Sequence, residues 1–289
     1  MNRLLAATPL LALVLACESP AARPGLTSAD ATRPHTAAAP SEGTATKLRA
    51  ALAGPAREDK ERARDGARHP YETLTFFGLH DDARVVELWP GSGYYTAILA
   101  PVLSDKGQLT VTRFDLNGDA KDYNTKESKW IADRLAKDPA VFGKVAQQQI
   151  ATPNVELGPA GSADFVLTFR NVHNWIEEGY GDQVFAAAFR VLKPGGVLGV
   201  EEHRGRADLT DKQIKDTGYV PEDRVIKMAA QAGFKLADRS EVNANAKDTK
   251  DYPQGVWSLP PSYAEKDVNH AKYEAIGESD RMTLKFVKP

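Results

Sequence analysis

The sequence predicts an α/β fold: a doubly wound, mostly parallel sheet with helices over both faces. Two observations lead there. Short apolar runs of strand length alternate with longer stretches whose apolar residues recur at helical spacing. The first of these runs also ends in an acid and a two-glycine turn, ELWPGSG, which leads into a helical pattern. Alternating strands and helices place parallel strands between two helical layers, and ligands in such sheets bind beyond the carboxyl ends of the strands. At 289 residues the chain is long enough to bury a substantial core.

The N-terminus lies outside this pattern. Residues 1–16, MNRLLAATPLLALVLA, carry one cation before an apolar run too short to span a bilayer, and read as an export signal. The run ends in VLAC, which resembles the lipobox of bacterial lipoproteins, in which the cysteine becomes the lipidated first residue. Cys17 is the chain's single cysteine, so neither an intramolecular disulfide nor a cysteine-based zinc site is available. Glu18 in place of Asp favours, by resemblance to lipoprotein sorting, the outer membrane facing the periplasm. The membrane would then be met only through a lipid anchor. Residues 17–46 are rich in Ala, Pro, Thr and Ser and read as a tether, so the folded domain is expected over 47–289.

Within that domain, residues 47–78 read as a helical segment divided by Pro55 and Pro70. Strands are expected at 84–88, 108–114, 145–150, 163–169, 197–201, 234–242 and 281–287. Helices are expected at 95–103, 126–145, 183–192 and 222–232, with Lys193-Pro194-Gly195-Gly196 as a turn. The net charge of −2, mixed along the chain, gives no reason to expect nucleic acid as a partner.

The glycine turn excludes several ligands. It lacks the G-x-G-x-x-G of dinucleotide sites and the G-K-[ST] of a P-loop. Pro90 and Tyr94 occupy the positions where a serine-hydrolase elbow around Ser92 needs glycines. Gly91 and Gly93 let a ligand approach the backbone, and Glu87 can accept hydrogen bonds from an amine or hydroxyls. A nucleoside bearing an amino group and no phosphate fits these features, and S-adenosylmethionine is such a ligand. Asp115, one β–α unit later, stands where an acid commonly grips ribose.

Several segments together resemble the class I S-adenosylmethionine-dependent methyltransferases: VVELWPGSG, the acid in RFDLN, ADFVLTFRNVHNW, VLKPGGVLGVEEH, AAQAGFKLADRSEV and RMTLKFVKP. RDGARHP, EEHRG and AKDTKDYPQGVWSLPP look closer still to an exported bacterial subgroup described only as predicted methyltransferases. The resemblance implies a seven-stranded, Rossmann-like sheet with an antiparallel last strand. It implies S-adenosylmethionine as cofactor, held by Glu87, Gly91, Gly93 and Asp115, with Trp89 in place of the usual first glycine, where it either shields or blocks the ligand. Tyr94 follows the glycines as a further cofactor contact.

For chemistry, His173 after the fourth strand is the candidate general base, and Asn171 is placed to orient an acceptor. Asp65 and Arg68 in the N-terminal helical segment either touch the ligand or pair with each other at i, i+3. Glu202 and His203 end the fifth strand and can line an acceptor pocket, with Trp175 as a wall. His173, Glu202 and His203 would suit zinc if they converged, but no local metal signature marks them and no metal is assigned. The expected activity is methyl transfer to a small molecule. The alternatives are a non-catalytic binding lipoprotein on the same fold and a metal-assisted enzyme.

Overall fold

In the computed structural model, which describes residues 40–289, a sheet runs in the order β3-β2-β1-β4-β5-β8-β7. Its strands are β1 (Arg84–Leu88), β2 (Gln108–Arg113), β3 (Ala146–Gln149), β4 (Ala163–Phe169), β5 (Leu192–Gly205), β7 (Lys235–Ser240) and β8 (Arg281–Val287), and a two-residue β6 (Val220–Pro221) pairs with the end of β5. β1 to β5 are mutually parallel, while β8 runs antiparallel to both β5 and β7. From β1 the chain winds outward through β2 and β3, then returns to lay β4 on the other side of β1. That reversal makes the carboxyl ends of β1 and β4 the switch point, where such sheets bind ligands.

Twelve α-helices complete the described residues. The N-terminal group is α1 (Glu42–Ala53), α2 (Asp59–Arg62), α3 (Asp65–Arg68) and α4 (Pro70–Phe77). Next come α5 (Thr96–Leu103), α6 (Tyr123–Lys137), α7 (Pro139–Phe142), α8 (Val172–Glu177) and α9 (Gly181–Val191). The last are α10 (Asp211–Thr217), α11 (Glu222–Gln231) and α12 (His270–Ile276). Both sheet faces are covered. One core gathers Val85, Val111 and Leu167 with residues of α1, α4, α5 and α6, and the other gathers Val86, Val166 and Leu198 with residues of α8, α9 and α11. This two-sided burial is why β1 and β4 read as near-continuous apolar runs.

The expected strands are all present: β1, β4 and β8 have the expected bounds, β2, β3 and β7 end within two residues of them, and β5 runs four to five residues further at each end. Four differences have clear causes. The first helix begins at Glu42, inside the stretch read as tether up to residue 46. Ser41 caps it by accepting from the Thr44 N–H, and Lys47 pairs with Asp81 at 2.9 Å; tertiary partners override a composition that reads as linker. The helix expected at 126–145 starts instead at Tyr123, capped by Asp122, and breaks at Asp138, whose carboxylate caps α7. The Lys-Pro-Gly-Gly turn is a bulge inside β5, where the pairing with β4 shifts register between Ala163 and Phe165. The short helices α8, α10 and α12 were not legible, because six or seven residues hold too few apolar repeats to show a period. The export signal and Cys17 lie outside the described residues, whose helices include none long and apolar enough to cross a membrane.

Candidate functional site

Trp89, the residue after β1, has φ 43°, and Arg170, the residue after β4, has φ 62°. Left-handed backbone in non-glycine residues is uncommon and tends to cluster at functional sites. Asn171 ties the two strand ends together: its Nδ2 donates to the Leu88 and Trp89 carbonyls at 3.1 and 3.3 Å and to Thr168 Oγ1 at 3.1 Å. The amide that was expected to orient an acceptor is therefore engaged in holding the β1 turn.

Most of the turn is filled by the protein's own side chains. Glu87 is buried and accepts from Thr96 Oγ1 at 2.7 Å; complete burial pushes its carboxyl up to about 8, against the opposing influence of Thr96 and Arg134. Trp89 has the backbone conformation that glycine favours, but its indole packs against Phe114, Trp175 and Tyr180 at centroid distances of 5.6, 5.1 and 6.5 Å. Gly93 is a packing glycine: a Cβ there would lie 2.8 Å from Arg134 Cδ and 3.0 Å from Ile131. Arg134, from α6, is clamped by Glu61, the Ser92 carbonyl and the Ala56 carbonyl.

Only Gly91 faces space, with the nearest atom to an added Cβ being Glu127 Oε1 at 3.5 Å. A small void of about 10 Å³, room for roughly one water molecule, opens there, between Trp89, Pro90 and Gly91 on one side and Thr112, Phe114, Glu127 and Ser128 on the other. Pockets that enclose drug-sized ligands occupy roughly 300–1,000 Å³. Glu127 is the void's acid; burial raises its proton affinity, and it accepts from Tyr123 Oη at 2.8 Å. Arg113, the lining cation, is directed at Gln147, Gln149 and the Phe114 carbonyl. Asp115, the acid expected to grip ribose, is exposed, accepts from the Asn117 N–H and does not line the void. Glu127 had no sequence signal beyond its place on an amphipathic helix.

The N-terminal helical segment closes over the strand ends. Asp65 does not pair with Arg68. It binds Arg57 at 2.5 and 2.7 Å and accepts from Tyr94 Oη at 2.5 Å, so Tyr94 is held here and not at a cofactor. Arg68 lies over the Tyr94 ring and pairs with Glu278 at 3.2 Å. Glu278 also takes Arg64 at 2.6 Å and Arg281 at 2.7 Å; these guanidiniums hold its carboxyl well below the usual range despite its burial. Arg281 in turn lies 3.2 Å from Glu201, which accepts from Tyr95 Oη at 2.9 Å.

His173, Glu202 and His203 do converge, with one candidate ligand atom from each lying within 4.8 Å of the others. Glu202 is fully buried. Its carboxylate accepts from the Val172 N–H at 2.6 Å and the His203 N–H at 2.7 Å, and faces His173 Nδ1 at 3.1 Å. Ser279 Oγ is 2.5 Å from His203 Nδ1. His203 is pushed well below the ordinary histidine range by burial and by His173, Arg170 and Arg281. Glu202 already accepts from two backbone N–H groups and faces His173 Nδ1, so its carboxylate orients the histidine with the same oxygens that a cation would use. Trp257 packs edge-on to His173 at 6.1 Å, whereas Trp175 is buried in the core beside Trp89 and walls no acceptor site.

No protein-family model matches the chain, and no curated protein matches it in sequence. Its fold is nevertheless shared with solved structures. A SAM-dependent methyltransferase from Aquifex aeolicus superposes with a TM-score of 0.52 at 15% identity, covering 85% of this chain and 98% of that one. The [4+2]-cyclase SpnF superposes with a TM-score of 0.55 at 18% identity, covering 86% and 94%. The mostly parallel sheet with its antiparallel C-terminal strand is that of the Rossmann-like methyltransferases. A cyclase among these structures illustrates that fold alone does not fix chemistry.

Proposed function

We propose that this chain is an S-adenosylmethionine-dependent methyltransferase acting on a small-molecule acceptor, exported and held at the outer membrane through lipidated Cys17. The observation that carries the reading is the void at Gly91, beyond the carboxyl ends of β1 and β2, in a sheet of this order. Its lining suits the cofactor's nucleoside: an open glycine backbone, the Phe114 ring, an acid for hydroxyls in Glu127, and a cation already engaged elsewhere, which suits a phosphate-free ligand. When bound, S-adenosylmethionine supplies an electrophilic methyl group on a sulfonium. The residues at the ends of β4 and β5 then handle the acceptor. Glu202 fixes the His173 ring through Nδ1, leaving Nε2 to take the proton that the acceptor's attacking atom must lose. Alignment and exclusion of water supply the remaining catalysis.

Calorimetric titration with S-adenosylmethionine and S-adenosylhomocysteine tests this, with Glu127→Ala as the control. Saturable binding weakened by the substitution is expected; folded protein that binds neither would overturn the reading. The anchor is tested separately by metabolic labelling with radioactive palmitate, which Cys17→Ser should abolish.

One observation favours a second reading. Trp89 and Arg134 occupy both flanks of the turn, as they would in a binding lipoprotein that has given up the cofactor. Failure of the titration, together with full stability, would select it.

A further inference from the structure

Five arginines meet near the carboxyl ends of β4 and β5: Arg57, Arg64, Arg68, Arg170 and Arg281. Asp65, Glu201 and Glu278 are the acids that pair with them. The pairings use four of the arginines. Arg170 has no ion-pair or hydrogen-bond partner for its side chain among the described residues, and its Nε is buried without one. Its backbone is fixed in the left-handed region, with its N–H donating to the Glu201 carbonyl at 2.7 Å. Its charge is felt at Arg68, at His203 and at Tyr123.

A half-buried guanidinium with an orphaned donor, set among other cations, is unfavourable unless an anion completes it. The flat fork of arginine matches a carboxylate with two parallel hydrogen bonds. Asn171 and Val172 connect Arg170 directly to His173, so an anion gripped there would present the rest of its molecule to the histidine.

We propose that Arg170 binds a carboxylate of the methyl acceptor, so that the acceptor is a small carboxylic acid. This rests on the methyltransferase reading for the word acceptor, though not for the anion site. A carboxylate could also come from the amino-acid end of the methyl donor, and the test separates the two sources.

The full chain and its Arg170→Gln and Arg170→Lys variants are titrated with benzoate and acetate as probes, and separately with S-adenosylhomocysteine and 5′-methylthioadenosine, which lacks the amino-acid end. The expected result is saturable benzoate binding that weakens by roughly tenfold or more in Arg170→Gln and by less in Arg170→Lys, with S-adenosylhomocysteine binding unchanged. The melting temperature of Arg170→Gln should stay level or rise, because the side chain being removed has no partner to lose. Three results would overturn the proposal: no saturable binding of either probe, probe binding indifferent to Arg170, or a clear fall in the melting temperature of Arg170→Gln. A fourth would do so as well: a tenfold loss of S-adenosylhomocysteine binding with 5′-methylthioadenosine unaffected assigns the arginine to the donor. Arg170-dependent benzoate binding by a protein that ignores both nucleosides keeps the anion site and removes only the methyltransferase reading.

Discussion

The end of β1 and the end of β4 are neighbours in the sheet, and they differ in how completely the protein satisfies them. At β1, Glu87 has Thr96, Gly93 has Arg134 and Ile131 against it, and Trp89 has three aromatic neighbours. At β4, Arg170 stands without an acid beside arginines that share too few. A satisfied region resists change through packing, while an unsatisfied one responds to whatever ligand supplies the missing charge. The largest expected effect comes from deepening that imbalance. Glu278→Ala removes the carboxylate that Arg64, Arg68 and Arg281 share, leaving the buried Arg68 uncompensated while Arg281 keeps Glu201. It should cost about 3–5 kcal/mol in urea denaturation. A loss under 1 kcal/mol would mean that water, and not Glu278, satisfies these arginines.

The second effect sharpens the picture within the β1 turn. Gly91 and Gly93 both have positive φ, so alanine is strained at either, by about 1–2 kcal/mol. At Gly93 the new methyl also meets Ile131 and an Arg134 pinned by its own hydrogen bonds. Gly93→Ala should therefore lose about 2–3 kcal/mol, and Gly91→Ala only the strain. Equal losses in parallel denaturation curves would remove the distinction between a packed glycine and an open one.

These two glycines also show what the sequence made legible. Alternation and the E-L-W-P-G-S-G turn placed β1, its turn and the switch point correctly, because strand burial and turn chemistry are local properties. The partners of the site residues are not local. Asp65 and Arg68, three apart on a helical segment, looked like a pair, but the fold brings Arg57 to one and Glu278, 210 residues away, to the other. Glu202 and His203 were legible as the end of a strand, yet Glu202's role in orienting His173 depends on β5 lying beside β4. Arg170 was read only as part of a motif, because the lack of a partner is a property of the folded chain.

The third effect is on pH dependence. The Glu87 carboxyl, raised to about 8 by burial, stays protonated in the folded chain while the unfolded chain ionises it near the ordinary glutamate value of 4.5. Its contribution is full below the lower value and is lost as pH rises to the upper one. Between them the unfolded state releases a proton that the folded state keeps, so stability falls by up to about 1.4 kcal/mol per pH unit. Glu87→Gln keeps an acceptor for Thr96 and cannot ionise. Its stability should decline less steeply between pH 4.5 and 8, and it should exceed the parent near pH 8. Parallel curves for the two proteins would show that Glu87 reaches solvent.

The smallest effect concerns the rim of the void. Tyr123 is 58% exposed, and its hydroxyl donates to Glu127. An exposed hydrogen bond at the first residue of a capped helix contributes little to folding, so Tyr123→Phe should leave stability within about 0.5 kcal/mol. Its consequence should appear in binding. Without the phenol, the Glu127 carboxylate loses the donor that aims it across the void at Gly91. A nucleoside whose hydroxyls use that carboxylate should then bind about two- to fivefold more weakly, a fraction of a hydrogen bond's worth. Benzoate binding at Arg170, whose charge reaches Tyr123 without a hydrogen bond to it, should change less. If Tyr123→Phe altered both ligands equally, the two strand ends would form one site, and the division between a filled turn and an unfilled charge cluster would have to be redrawn as two halves of a single pocket.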